Sequence, residues 1–307
     1  LNYHTLKEIH SFTGLSYDDN FKIFSMIAKR SKTKLVVHSH GLSNYRYRNL
    51  FRLALVFEHA DYYSTFGNDI DLQFPQINKY NCKVINLGSN YFNSFKKWSK
   101  KRNKSKFRIL YPSGPLMQFK TDLQEISPEK CLSNRNKILI FIDKILNKYK
   151  SVELVYKPFP GNFYNDPIKE KLFYWIKKKR IKIITDKNSE KSKLKYFYQK
   201  SDLVLWDTIS TGFGECVASG VPVIVFNNQF EYEQASDRGK FVNDELTKCG
   251  IQFFGIEQGL HCFDKIFNNT DNKEIKINAL NMIIKDKINP VSANQWKKNY
   301  MKIFNNS

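Results

Sequence analysis

The sequence predicts an α/β protein made of two doubly wound parallel-sheet domains, and three observations carry that prediction. Short apolar runs alternate with amphipathic helical stretches along most of the chain, the pattern left by parallel strands joined through crossover helices. The alternation stops and restarts across a basic segment near residue 100. At 307 residues the chain exceeds one ordinary domain and suits two.

In the first half, a helical pattern over residues 18–29 precedes the apolar run Leu35-Val36-Val37. A second helical stretch over 45–58 and two more runs, at 60–66 and 83–87, follow. Three strands are too few for a complete domain. Residues 1–105 therefore predict a Rossmann-like domain that is abbreviated, or whose beginning lies outside a chain that starts at Leu1 rather than Met. Between Phe95 and Arg108 stand eight basic residues (Lys96, Lys97, Lys100, Lys101, Arg102, Lys104, Lys106, Arg108) and no acid. Such a run reads first as an exposed linker and second as a binding patch.

The second half is more regular. Strand patterns at 107–111, 152–156, 181–185, 203–206 and 222–226 are separated by helical patterns at 138–149, 167–179, 192–200 and 212–218. Five strands with four crossovers make one complete Rossmann-like domain over residues 106–307, ending in a helical tail from about 257 to 304 that is interrupted at Asn289-Pro290.

Composition narrows the function classes. Hydrophobic residues at 41% and charged residues at 26% exclude a disordered or fibrous chain. Fifty Lys and Arg against 29 Asp and Glu leave a net charge of +21, so the surface favours anionic partners. Cys82, Cys131, Cys216, Cys249 and Cys262 are scattered and lack any CxxC or zinc spacing, which suits reduced thiols in a cytosol. No run approaches the roughly 18 apolar residues of a membrane helix, and no signal-peptide pattern opens the chain.

The segment richest in chemistry runs from Asp207 to Glu215, where a strand pattern ends in a turn of hydroxyls and glycines and a helix begins. Such a turn offers backbone N–H groups and the hydroxyls of Ser210 and Thr211 to an anion, with Gly212 allowing close approach. The plain alternative is a strand-turn-helix capped by Ser210 or Thr211. Glu215 is expected in the first turn of the helix, positioned to accept bonds from ribose hydroxyls. Asp207 counts among the catalytic candidates, as an acid that positions a sugar hydroxyl or orients the turn.

His38 and His40 lie just past the first-half strand run, two apart and so on one side of an extended segment. An imidazole suits proton transfer with an acceptor hydroxyl, so His40 is the first candidate base or acid and His38 its rival. The alternative is a pair of surface histidines. Arg46 and Glu58 are candidate substrate contacts, the first for a donor carboxylate or phosphate. Asp69-Ile70-Asp71 matches a metal-binding DxD spacing that chance produces often, and no metal or cofactor is expected.

Ser210-Thr211 followed by Glu215, a small-residue helix and Gly220-Val221-Pro222-Val223-Ile224 resembles the nucleotide-binding signature of GT-B glycosyltransferases. Within that fold the likeness is to surface-carbohydrate transferases of the capsule and lipopolysaccharide type, including Kdo-transferase-like enzymes. Supporting segments are His38-Ser39-His40-Gly41 with Tyr45 and Arg46, Glu58 to Gly67, Tyr111-Pro112-Ser113-Gly114, and Val155-Tyr156-Lys157-Pro158-Phe159-Pro160. The likeness spans residues 35–230. His38 stands where that family has Gln, Leu42 where it has a second Gly, and Phe159 where it has His.

The resemblance implies two domains facing a cleft, with the acceptor on the first and the nucleotide-sugar on the second. It implies transfer of a sugar, from a donor such as a CMP-Kdo-like one, to a hydroxyl of a surface glycan or glycolipid. Ser113, Gly114, Lys157, Ser210, Thr211, Gly212 and Glu215 are the implied donor contacts. The expected partners are the nucleotide-sugar, an anionic acceptor and the inner membrane surface, with cytoplasmic localisation and no nucleic acid. Two other classes fit less well: a nucleotide-sugar epimerase of the same fold, and a non-catalytic basic binder of nucleic acid or membrane.

Overall fold

A computed structural model describes residues 6–12, 18–39, 51–67, 79–95, 97–98, 106–114, 127–159, 167–184, 193–268, 280–281, 283–284 and 288–305. The chain forms two compact units. One comprises Leu1–Ser94, Ala235–Gly239 and Ile283–Ser307, and the other Phe95–Gln234 and Lys240–Met282. The break after residue 94 falls ahead of the expected 105, and the end of the helical tail joins the first unit rather than the second.

Among the described residues the first unit holds four parallel strands, β1 (Glu8–Ser11), β2 (Lys34–His38), β3 (Tyr62–Thr65) and β4 (Lys83–Asn86), side by side in chain order. The sequence pattern predicts three. β1 escapes it because Glu8-Ile9-His10-Ser11 has a single apolar residue. A sheet wound in one direction by right-handed crossovers carries its helices on one face. Leu35, Val37 and Tyr63 accordingly pack with Val56, Phe57 and Ala60 at the end of helix α2 (Phe51–His59), with Phe21 of α1 (Asp19–Arg30) against them. Val36, Tyr62 and Leu87 point the other way, and Trp296 and Tyr300 of the C-terminal helix Ala293–Asn305 cover them. That task explains why the tail returns to the first unit.

The second unit holds β5 (Phe107–Pro112), β6 (Val152–Lys157), β7 (Ile181–Ile183), β8 (Leu203–Trp206), β9 (Val223–Phe226) and β10 (Gln252–Phe253), all parallel. Their order is β10-β9-β8-β5-β6-β7. The chain starts mid-sheet, winds out to β7, returns past β5 and winds out to β10, the doubly wound order with its switch point between β5 and β8. The predicted five strands are present. The sixth, β10, is two residues long and leaves no periodic trace.

Helix α3 (Pro128–Lys148) begins with Ser127 accepting from the Lys130 N–H, a proline in the first turn and Glu129 near the positive helix end. It lays Ile138, Leu139, Ile142, Ile145 and Leu146 on the sheet against Ile109, Tyr111, Leu154, Tyr156 and Leu205. Among the described residues no helix is long and apolar enough to cross a membrane.

Candidate functional site

Ligands of doubly wound sheets bind beyond the carboxyl ends of the strands at the switch point. Here that place is the edge where β5 gives way to Ser113 and Gly114, β6 ends at Lys157, and β8 gives way to Asp207. Ser113, Gly114, Lys157, Asp207, Ser210, Thr211, Gly212 and Glu215 all lie on elements that end or begin along this edge of the second sheet.

A residue that the pattern of motifs does not reveal ties the edge together. Arg135 on α3 is 3% exposed, and its guanidinium bonds Asp207 Oδ2 at 3.1 Å, the Gly114 carbonyl at 2.9 Å and the Tyr156 hydroxyl at 3.2 Å. The Gly114 N–H donates to the same Asp207 oxygen at 2.8 Å. Asp207 thus staples the loop after β5 to the end of β8, while its other oxygen, Oδ1, is buried without a hydrogen-bond partner among the described residues. A Cβ on Gly114 would stand 2.9 Å from that oxygen, so glycine is what permits the closure. Ser113 is buried as well. Its hydroxyl accepts from the Tyr156 hydroxyl and the Phe159 N–H, which makes Ser113 a brace of the loop. The Lys157 amine has no partner among the described residues, and partial burial lowers its pKa.

Beyond Asp207, the Thr208 hydroxyl donates to Glu231 at 2.9 Å, and helix α7 (Thr211–Ser219) starts after Ser210, with α4 (Ile168–Lys171), α5 (Phe173–Lys177) and α6 (Leu194–Tyr198) preceding it in the chain. Ser210 occupies the N-cap position, yet its side chain makes no capping bond. Capping therefore does not account for it. The Ser210 and Thr211 hydroxyls stand beside the first N–H groups of a nine-residue helix, which have no partner within the helix. Gly212 lets this helix approach β8, since a Cβ there would meet the Trp206 indole at 2.2 Å.

Glu215 differs from expectation. The helix begins at Thr211, which puts Glu215 in its second turn, and the Tyr198 hydroxyl donates to its Oε2 at 2.8 Å. Burial drives the Tyr198 pKa well above the usual phenol value, so that hydroxyl stays a donor.

In the first unit, His38 ends β2 in a four-part chain. Its Nδ1 lies 2.6 Å from the Ser64 hydroxyl and its Nε2 lies 2.9 Å from His10 Nδ1. His10 Nε2 reaches Glu8 at 3.0 Å, and Tyr300 donates to the same carboxylate at 2.5 Å. A carboxylate only accepts, which sets the direction: His10 donates to Glu8, His38 to His10, and Ser64 to His38. Phe12 stacks on the His38 ring. With both nitrogens engaged and the residue buried, His38 fastens β2 to β1 and β3, and its pKa falls to about 4 through burial first and the His10 charge second. Glu58 is exposed near the end of α2. His40, Arg46, Asp69 and Asp71 lie outside the described residues.

Residues 2–269 match the LIC12162 family of transferases. The chain belongs to that family. No curated protein matches it closely enough to inform the reading. Among solved structures it is similar to UDP-GlcNAc 2-epimerase from Neisseria meningitidis bound to UDP-GlcNAc, at 14% identity and TM-score 0.60, covering 98% of this chain and 76% of that one. It is similar to sucrose-phosphate synthase from Thermosynechococcus elongatus at 13% identity and TM-score 0.58, covering 98% and 74%. HepE of Anabaena in complex with UDP and glucose matches at 13% identity and TM-score 0.57, covering 99% and 79%. At these identities the likeness establishes the fold, two Rossmann-like domains of the GT-B kind.

Two outcomes follow from this geometry. Arg135→Ala leaves the Asp207 carboxylate buried and uncompensated, a loss of about 3–5 kcal/mol in urea unfolding, whereas Arg135→Met with Asp207→Leu loses less than the single variant. A single variant within about 1 kcal/mol of wild type would show that the pair does not hold the edge. For His38, the unfolded imidazole binds its proton near pH 6.5 and the folded one near 4. Its contribution, up to about 3 kcal/mol, is complete above pH 6.5 and disappears as pH falls toward 4. His38→Asn should flatten stability over that window, and an unchanged profile argues against a neutral buried ring.

Proposed function

We propose that this transferase moves a sugar from a nucleotide-sugar donor to a hydroxyl of a surface glycan or glycolipid. The observation that carries the reading is the open N-terminus of α7 at the switch point, where the Ser210 and Thr211 hydroxyls have no protein partner among the described residues. A donor phosphate fits there, met by helix N–H groups, the two hydroxyls and the Lys157 amine. Glu215, held by Tyr198, accepts from the ribose. Structural relatives solved with UDP or UDP-GlcNAc support a nucleotide-sugar as the donor class.

In the proposed reaction the acceptor oxygen attacks the anomeric carbon and the bond from that carbon to the phosphate oxygen breaks. The bonding pair leaves with the nucleotide, whose added charge the helix N-terminus and Lys157 stabilise. The acceptor proton passes to His40, the candidate that the engagement of both His38 nitrogens favours. Arg46 and Glu58 stay assigned to substrate contact. Helix dipole and basic side chains suffice for the leaving group, so turnover is expected to persist in excess EDTA. The charge of +21 suits an anionic acceptor presented at the inner membrane face to a cytoplasmic enzyme.

The second reading, an epimerase, draws on the relatives of that name. Incubation with donor alone separates the two. A transferase releases nucleotide in proportion to added acceptor, whereas an epimerase interconverts the donor without one. His40→Ala is expected to lower kcat by roughly 10² to 10⁴ with donor affinity near wild type, and to remove the limb near pH 6–7 from the kcat/KM profile. Normal turnover in His40→Ala would dismiss the assignment.

A further inference from the structure

The end of the second sheet opposite the edge at Gly114 and Lys157 carries a hollow lined by cationic residues. The hollow, of about 280 Å³, is lined by Arg108, Lys179, Arg180, Lys182 and Lys200, with Glu153 the one carboxylate among the described residues. Arg108 and Glu153 face each other as the second residues of β5 and β6, and Lys179 and Arg180 immediately precede β7. Arg108 and Glu153 are at the entry ends of the strands whose exits lead to Gly114 and Lys157, and Lys179 and Arg180 are at the entry of β7, parallel beside β6. Six residues of strand separate Arg108 from Gly114, about 20 Å, so one small ligand cannot occupy both places.

Its face is fixed by strand alternation. Phe107, Ile109, Val152, Leu154 and Ile181 enter the core under α3. Arg108, Glu153 and Lys182 therefore project from the opposite side, where Tyr196 and Phe197 of α6 form the wall.

The charges are held there by structure. Arg180 bonds the carbonyls of Leu146, Tyr149 and Val152 and lies over the Trp175 ring, which holds its side chain in one place. Lys200 lies 3.9 Å over the Tyr196 ring and bonds its hydroxyl. Glu153 is engaged by Lys106 and Arg108. Lys179 adopts φ 55°, a conformation uncommon for a non-glycine residue. The amines of Lys179 and Lys182 have no partner among the described residues. Five cationic residues thus line a hollow whose single acid among the described residues is already paired, which leaves it short of negative charge.

We propose that this hollow binds a phosphate group, independently of the nucleotide-sugar reading. Its volume admits one headgroup, and the two amines suit a phosphate. A lipid headgroup and a free phosphate share that chemistry, and the experiment separates them.

The full chain is tested for co-sedimentation with vesicles of phosphatidylglycerol and of phosphatidylcholine, and by calorimetry with inorganic phosphate. The variant is Lys179→Glu/Lys182→Glu. The charge-matched control is Lys171→Glu/Lys248→Glu, both exposed and away from the hollow. Binding to phosphatidylglycerol but not phosphatidylcholine, weakened at least tenfold in the hollow variant and less than twofold in the control, supports a lipid headgroup. A saturable phosphate titration lost only in the hollow variant supports a free phosphate. Equal losses in both variants would reduce the effect to diffuse surface charge and overturn the site, as would wild-type binding in the hollow variant. Should the reversal variant fail to fold by circular dichroism, Lys179→Gln/Lys182→Gln replaces it, with the same two outcomes deciding.

Discussion

The buried pair of Arg135 and Asp207 is the constraint around which the second domain is organised. A guanidinium 3% exposed loses most of its hydration, a cost recovered only where its donors are matched. Arg135 meets that condition with a carboxylate, a backbone carbonyl and a tyrosine hydroxyl. The three partners come from different strands or their exits, so the pair fixes the mutual register of the β5, β6 and β8 ends. That edge is held by protein partners alone, and the N-terminus of α7 follows directly on Asp207.

The first unit meets a different constraint. A four-strand sheet wound in one direction has helices for one face only, and its other face needs apolar cover. Trp296 and Tyr300 supply it, and Tyr300 also closes the polar chain through Glu8, His10, His38 and Ser64 at the strand ends. Helix cover and polar chain act together, because the tyrosine that packs on the sheet is the one that satisfies Glu8.

Periodicity made most of this architecture readable. Parallel strands buried on both faces, such as Leu203–Trp206 and Val223–Phe226, are unbroken apolar runs and were legible as such. β1 and β10 were not, since a strand with one apolar residue or only two residues carries no period. The turn after β8 was legible in Ser210, Thr211 and Gly212, because hydroxyls and a glycine between an apolar run and a small-residue helix mark a strand-turn-helix. Arg135 did leave a signal: it falls on the stripe of Ile138, Leu139 and Ile142, a charge in an apolar register. Only tertiary contact could reveal why, as Asp207 lies 72 residues away. The same holds for His38, whose partners His10 and Ser64 come from neighbouring strands.

The claim on which the account rests is that the open α7 N-terminus receives the phosphate of a nucleotide. A thermal-shift comparison of CMP, UDP, GDP and CDP on the wild-type chain and on Ser210→Ala/Thr211→Val tests it directly, since a ligand that binds only the folded state must raise the midpoint. The account predicts that one nucleotide raises the wild-type midpoint in a concentration-dependent way and that the variant, equally stable without ligand, loses most of the shift. Four nucleotides without effect, or a shift that the variant retains in full, would contradict it.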